Sequence, residues 1–318
     1  METKPILSIG ITTRNRPESL KRCLSALSHF TGHSVEVAVL DDCSEPPVKR
    51  SELQSMTCGV PVEVIRHTSK LGYIAGRNRL VQSARSDSVL LLDDDTRVTN
   101  IESVWTALRT LQSDPSFAAI AFAQLENSGS PWPSSMQPAP VDYPCWIPTF
   151  IGFAHLLCRR TFLDLGGYRE MLHYYGEEKE YCLRLLDAGY KVVYLPKCGI
   201  VHTPDPSGRD SLKYYRYYTR NDCLNALLNF PWPLALGIVG MRLVGYHRTL
   251  WRHMKLHDLP GRGWLVQELR TGWPEIVKKR RAVRWQTVRL WQRLKVDRPR
   301  IAIGASGALP RLERESRP

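Results

Sequence analysis

The chain has 318 residues, 43% of them hydrophobic and 24% charged, with a formal net charge of +13. Those proportions exclude a fibrous or disordered chain and fit a soluble globular protein, long enough for one large domain or two smaller ones. The charge is uneven: residues 230–318 hold 19 Lys and Arg against six Asp and Glu, while residues 1–229 are balanced at 25 of each.

That asymmetry sets an expected boundary near Phe230, dividing an α/β domain (1–229) from a basic helical region (230–318). Met1 to Pro5 leads directly into a strand-like run, with nothing that resembles a signal peptide. The eight cysteines contain no Cys-x-x-Cys pair, so they read as reduced packing residues of a cytoplasmic protein rather than zinc ligands.

In chain order, Ile6 to Thr12 is β-rich and ends in the polar turn Thr13-Arg14-Asn15-Arg16-Pro17. Pro17 suits a first helical turn, and Leu20, Cys23, Leu24 and Leu27 recur at helical spacing. Val35 to Leu40 predicts a second strand ending in Asp41-Asp42, and Val62 to Ile65 a third. Gly72 to Gly76 opens a helix carrying Arg77 and Asn78. Ser88 to Leu92 is apolar enough for a strand buried on both faces, and Asp93, Asp94 and Asp95 sit at its tip. Such alternation predicts a mostly parallel sheet with right-handed crossovers. Thr12-Thr13, Asp41-Asp42 and Asp93–Asp95 then share one rim, the carboxyl ends where ligands bind in open α/β sheets. Three adjacent carboxylates repel unless a cation joins them, and Mg²⁺ or Mn²⁺ suits such oxygens.

Further on, Val104 to Leu111 reads as a helix, Phe117 to Ala123 as a strand and residues 127–148 as a long loop. Gly152 to Cys158 predicts a strand, Thr161 to Leu165 a short helix, and 176–186 an amphipathic helix ending before Gly189. Lys191 to Leu195 is a strand, with His202 in the loop beyond it.

Five stretches, in this order, resemble the family 2 glycosyltransferases of GT-A fold, and within them a bacterial rhamnosyltransferase-like branch. They are Ile11-Thr12-Thr13-Arg14-Asn15-Arg16-Pro17, Val39-Leu40-Asp41-Asp42-Cys43-Ser44, Gly76-Arg77-Asn78, Leu92-Asp93-Asp94-Asp95 and Gly176-Glu177-Glu178-Lys179-Glu180-Tyr181-Cys182-Leu183-Arg184. The resemblance covers about residues 5–225. It implies a GT-A Rossmann-like sheet flanked by helices and an inverting transfer of sugar from a nucleotide diphosphate sugar (UDP-, dTDP- or GDP-linked) to a glycan or lipid-linked acceptor hydroxyl, the chemistry of cell-surface polysaccharide synthesis. It also implies roles: Thr12, Thr13, Arg14, Asp41, Asp42, Arg77, Asn78, Asp93 and Asp94 at the nucleotide sugar, and Asp95, Asp93 and His202 at a Mg²⁺ or Mn²⁺ ion. Glu178 would be the base, where the family usually has Glu-Asp and this chain has Glu177-Glu178; Glu180 is its competitor. Arg184, four residues beyond Glu180, is expected to form a helix-face ion pair.

Two other readings stay open, an inactive nucleotide-sugar-binding scaffold of the same fold and a nucleotidyltransferase. The latter should show a glycine-rich basic loop near the N-terminus, and residues 10–17 hold one glycine. The basic region, with Trp251, Trp264, Trp273, Trp285 and Trp291 around Lys278-Lys279-Arg280-Arg281, suits an anionic membrane surface contacted through 230–296. No nucleic-acid partner is expected, and the enzyme would be cytoplasmic or peripheral on the inner face of the plasma membrane. Arg298 to Pro318 is expected to be a disordered end.

Overall fold

The structure is a computed structural model describing residues 4–204, 210–254 and 257–302. In chain order the first half comprises β1 (Leu7–Thr13), α1 (Pro17–Ser25), β2 (Val35–Asp41), α2 (Arg50–Gln54), β3 (Val62–Arg66), α3 (Tyr73–Ser83), β4 (Ser88–Asp93) and β5 (Thr96–Arg97). There follow α4 (Ile101–Ser113), β6 (Phe117–Leu125), β7 (Cys145–Ile147), β8 (Ala154–Cys158), α5 (Arg159–Asp164), α6 (Glu177–Asp187) and β9 (Lys191–His202). The C-terminal helices are α7 (Ser211–Asn229), α8 (Leu234–Met254), α9 (Leu259–Thr271), α10 (Trp273–Lys279) and α11 (Trp285–Leu294).

These strands form one sheet in the order β3-β2-β1-β4-β8-β6-β9-β5, with β7 on β9. The four strands β3-β2-β1-β4 are parallel, as the alternation predicted. Beyond β4 the sheet is mixed: β8 runs antiparallel to both β4 and β6, and β5 and β7 run antiparallel to β9. "Mostly parallel" therefore describes one half of the sheet. The physical reason is the long 127–153 segment, which returns β8 beside β4 in the opposite sense without a crossover helix.

Along β4 the side chains alternate between two cores. Leu90 and Leu92 pack with Leu20, Leu24, Val104 and Leu108, so this layer holds α1 and α4. Val89 and Leu91 face Leu80 and Val81 of α3. The register brings Thr13 opposite Asp41 and Thr12 opposite Asp93, placing the polar clusters side by side on one rim.

Strand β9 reaches His202, beyond the predicted end at Leu195. The register jumps from Phe122↔Leu195 to Ala123↔Gly199, so Pro196 lies in a bulge where its missing N–H removes no ladder bond. His202 is thus a strand residue opposite Thr96, not a loop residue.

The C-terminal helices pack on the α/β unit through α6 and α7. Leu183 and Leu186 of α6 share a cluster with Phe230, Ala235, Val288 and Trp291. Asp258 caps α9 by accepting from Gly261 N at 2.9 Å, and also binds Arg216 of α7 (2.7 and 2.8 Å) and Tyr246 of α8 (2.6 Å). The disorder expected from Arg298 onward needs correction at its start: Trp146 N donates to Pro299 O at 2.9 Å and Ile301 N to Pro144 O at 3.0 Å. Residues 303–318 of that expectation lie outside the described residues.

One carboxylate thus joins three helices. Its bonds to Arg216, the leading cause, hold Asp258 well below the usual carboxylate range. Asp258→Ala is expected to lose roughly 2–4 kcal/mol at neutral pH, read by denaturant unfolding. Because the folded pKa is depressed, the contribution is present above the unfolded value and fades as pH falls, so variant and wild type should converge in acid.

Candidate active site

At the tip of β4 the acidic triplet meets two arginines. Arg16, just before α1, donates to Asp94 at 2.6 Å and to Asp95 at 3.0 Å. Thr13 donates its hydroxyl to the other oxygen of Asp94 at 2.7 Å. Burial, reinforced by the neighbouring Asp95 and Asp93, pushes the Asp94 carboxyl up to about 7 even against Arg16. Asp93, about a third exposed, is also raised by burial.

Arg77 lies beneath the triplet, buried to 3% exposure. It donates to Asp93 at 2.6 Å, to Gly152 O at 2.8 Å and to Glu177 at 2.7 Å, and lies 3.8 Å from Glu178. The guanidinium stacks over Tyr73 at 4.7 Å, and the Tyr73 hydroxyl donates to Glu177 at 3.3 Å. Glu177 is fully buried, while Glu178 keeps an exposed edge. Burial raises both carboxyls, Glu177 well above the ordinary range. The two therefore titrate as a pair. Glu178 lies over Gly152, where an added Cβ would meet its Oε1 at 2.0 Å and force the carboxylate to shift.

The entrance to α6 is conformationally strained. His173 and Tyr175 have φ of 57° and 67°, a cost tolerated where the surroundings enforce it, and Gly176 follows at 89° without that cost. Asn221 of α7 enforces it, donating to the carbonyls of Leu172, Tyr174 and Tyr175 at 2.9, 2.8 and 2.7 Å.

Of the residues expected at a metal ion, Asp95 and His202 lie side by side. Asp95 Oδ1 is buried and accepts no hydrogen bond, and it faces His202 Nε2 at 3.5 Å. Gln124 donates through Nε2 to Met136 O and directs Oε1 to His202 Nδ1 at 2.7 Å. With Nδ1 donating to Gln124, a neutral imidazole would keep its Nε2 lone pair on the Asp95 side, the tautomer a metal ligand needs. Phe153 and Trp132 flank the ring at 4.9 and 5.8 Å. Among the described residues no three His, Cys, Asp or Glu side chains form a metal cage. The pair thus fits a hard cation that completes its shell with phosphate oxygens and water.

Other predicted residues have prior commitments. Asp41 accepts from Ser44 N, Val48 N and Arg66 at 2.8, 3.1 and 2.6 Å, and Asp42 from Leu71 N, Gly72 N and His67 at 2.9, 3.0 and 3.2 Å. They tie down the loops 43–48 and 67–72 at the rim. Thr12 is buried, and Arg14 is exposed on the loop after β1. Arg77 and Asn78 do not present themselves to a phosphate as expected: Arg77 is sequestered among carboxylates, and Asn78 holds Tyr168 and Glu170. Arg16, Gln124 and Asn221 had no signal of their own, because their partners lie far away in sequence.

Glu180 and Glu178 separate cleanly. Glu180 is fully buried and accepts from Arg169 (2.6 Å), Arg184 (2.7 and 2.9 Å) and Asn229 (3.0 Å). Burial alone would raise it, but Arg184, Arg169 and Asn229 outweigh that and hold it below its ordinary value.

This curled mixed sheet with its helical C-terminal region is the GT-A fold of glycosyltransferases. Residues 8–163 match the model of glycosyl transferase family 2. The chain is 27% identical over 225 residues to a pre-mycofactocin glycosyltransferase of Mycobacterium tuberculosis, covering 67% of this chain. It spans about half of that relative's length (46%). Among solved structures it is similar to the mannosyltransferase PcManGT from Pyrobaculum calidifontis in complex with GDP-Man and Mn²⁺ (TM-score 0.58, 13% identity, 92% of this chain and 85% of that one). S. aureus TarS 1-349 in complex with UDP-GlcNAc is similar too (TM-score 0.57, 15% identity, 91% and 90%).

Glu180→Gln would leave two largely buried guanidinium groups facing a neutral amide. It is expected to cost about 3 kcal/mol of stability, with turnover per folded molecule little changed. Unfolding titrations beside activity normalised to folded protein check this. The depressed pKa puts the contribution above the ordinary glutamate range, and it disappears as pH falls through the folded value.

Proposed function

We propose that the chain is a metal-dependent, inverting glycosyltransferase that moves a sugar from a nucleotide diphosphate sugar to an acceptor hydroxyl. The observation that carries this reading is the Asp93–Arg77–Glu178 bridge. One buried guanidinium links the acidic strand tip to the carboxylate at the start of α6, at 2.6 and 3.8 Å. Asp95 and His202 would hold a Mg²⁺ or Mn²⁺ ion, which neutralises charge on the departing diphosphate. Thr13, Arg14 and Arg16 line the donor side, and the loops held by Asp41 and Asp42 enclose the nucleoside.

Glu178 would take the acceptor proton. It is the partly exposed member of the carboxyl pair, whereas Glu177 is enclosed by Arg77 and Tyr73. The extra methylene relative to the aspartate usual in the family is accommodated over Gly152. Attack from the Glu178 side, opposite the metal-held leaving group, inverts the anomeric centre. A glycan or lipid-linked acceptor in cell-surface polysaccharide synthesis, the specificity of the rhamnosyltransferase-like branch, and peripheral work at the inner plasma membrane through 230–296 complete the reading.

Donor binding is tested by thermal shift with UDP, dTDP and GDP, each with and without Mn²⁺. At least one should raise Tm by several degrees with the metal present, since a ligand that binds only the native state stabilises it by mass action. Asp95→Ala and His202→Ala should abolish the metal-dependent part. A shift indifferent to metal in wild type would remove the ion from the mechanism.

For Glu178→Gln, turnover should fall by roughly two to four orders of magnitude while nucleotide-induced stabilisation is retained. Because burial raises the Glu178 carboxyl, wild-type kcat/KM should decline with falling pH already above the ordinary glutamate range. A variant with unaltered turnover would move the proton acceptor elsewhere.

A further inference from the structure

We propose that the outward face of α8 is the surface by which this protein docks on an anionic lipid bilayer. The proposal deepens the peripheral-membrane part of the functional reading and is independent of the transfer chemistry.

The 21 residues of α8 contain no Asp or Glu. Inward, Ala235, Tyr246 and Leu250 are buried against neighbouring helices. Outward, Leu236, Met241, Val244 and Trp251 are 57, 64, 76 and 50% exposed. At 100° per residue they fall within one side of the helix, together with Gly237, Gly240, Arg248 and Arg252, all exposed. Trp232, also exposed, stands at the entrance to the helix. Single exposed apolar side chains are ordinary. A row of four along a carboxylate-free helix, in the region that carries the protein's whole positive excess, is a patch that needs an occupant.

The chemistry selects which occupant. No described helix is long and apolar enough to cross a membrane. An apolar stripe edged by arginine suits a helix lying in the headgroup plane, with Leu, Met, Val and Trp at the acyl boundary. A second copy docking symmetrically would bring Arg248 and Arg252 towards their own images with no carboxylate on either helix. Nucleic acid would match the charge but not the aliphatic centre of the stripe.

The structure also relocates the contact from the basic run at 278–281. Lys279 pairs with Glu275 at 2.6 Å. Arg280 donates to the carbonyls of Leu227 and Phe230 and stacks on Trp232 at 3.9 Å, and Arg281 N donates to Leu228 O at 3.0 Å. Much of that run fastens the end of α7.

The test is co-sedimentation of the full chain with phosphatidylcholine vesicles, with or without phosphatidylglycerol. Wild type should bind the phosphatidylglycerol vesicles, and more weakly as salt rises. Met241→Glu with Val244→Glu should weaken binding at least about tenfold. Arg248→Gln with Arg252→Gln should weaken it by about tenfold on the anionic vesicles. All four side chains are exposed, so unchanged Tm and nucleotide-induced shifts would establish that both variants are folded. Full binding by the Met241/Val244 variant would overturn α8 as the docking face and leave a membrane contact elsewhere. Absence of wild-type binding would overturn the bilayer itself. Light scattering that shows a wild-type dimer lost in the Met241/Val244 variant, without vesicle binding, would give the face to self-association. None of these outcomes depends on sugar transfer.

Discussion

The site depends on an almost fully buried guanidinium, that of Arg77. Five carboxylates, Asp93, Asp94, Asp95, Glu177 and Glu178, converge between β4 and α6. Two like charges at about 4 Å repel by about 4 kcal/mol at an effective dielectric near 20. Such a cluster stands only with cations or protons among its members. Arg77 supplies one charge between Asp93 and Glu177, and Arg16 another between Asp94 and Asp95. Two guanidinium groups do not balance five carboxylates. The remainder appears as raised pKa values at Asp93, Asp94, Glu177 and Glu178, with burial the leading cause in each. On the function proposed above, a site so acidic and so desolvated would receive a hard cation brought in with a diphosphate.

The buried position of Arg77 has a second effect. Glu178 lies over Gly152, so a side chain at 152 would displace its carboxylate, and Gly152 O is itself an acceptor for Arg77. Asp93 N in turn donates to Phe153 O at 2.8 Å. The acidic strand, the segment before β8 and the first turn of α6 are thus fixed to one another. Displacing any of them would leave a buried charge without its partner, which is more costly than the bond itself.

The parallel half of the sheet was legible because each of its strands is an apolar run ending in a polar cluster, and parallel pairing places those ends together. The antiparallel half was not: β7 is a three-residue strand inside a Pro-rich loop, and Pro196 broke the pattern of β9 although a bulge absorbs it. The place of the acidic triplet at the tip of β4 could be named from sequence, and the ion pair of Glu180 with Arg184 follows from their spacing. The roles of Arg77 and Asn78 could not. Spacing on a helix gives the face of a residue but not its depth, and depth turned an expected phosphate contact into an internal counter-charge. Arg16, Gln124 and Asn221 act through partners 78, 78 and 46–49 residues away, a separation that no local pattern records.

Charge asymmetry set an expected boundary near Phe230, and ion pairs cross it. Asp222 of α7 stands between the two regions, 2.5 Å from Lys179 of α6 and 2.7 Å from Arg242 of α8. Lys179 is the residue after Glu178. Asn221, next to Asp222, holds the strained turn that opens α6. The helix with the outward apolar face is therefore tied through one carboxylate to the helix that carries the carboxyl pair. If α8 rests on a bilayer, the orientation of α6 relative to that surface is set by the same contacts. A lipid-linked hydroxyl would then approach from a fixed side, and the basic region would orient the catalytic groups as well as anchor them.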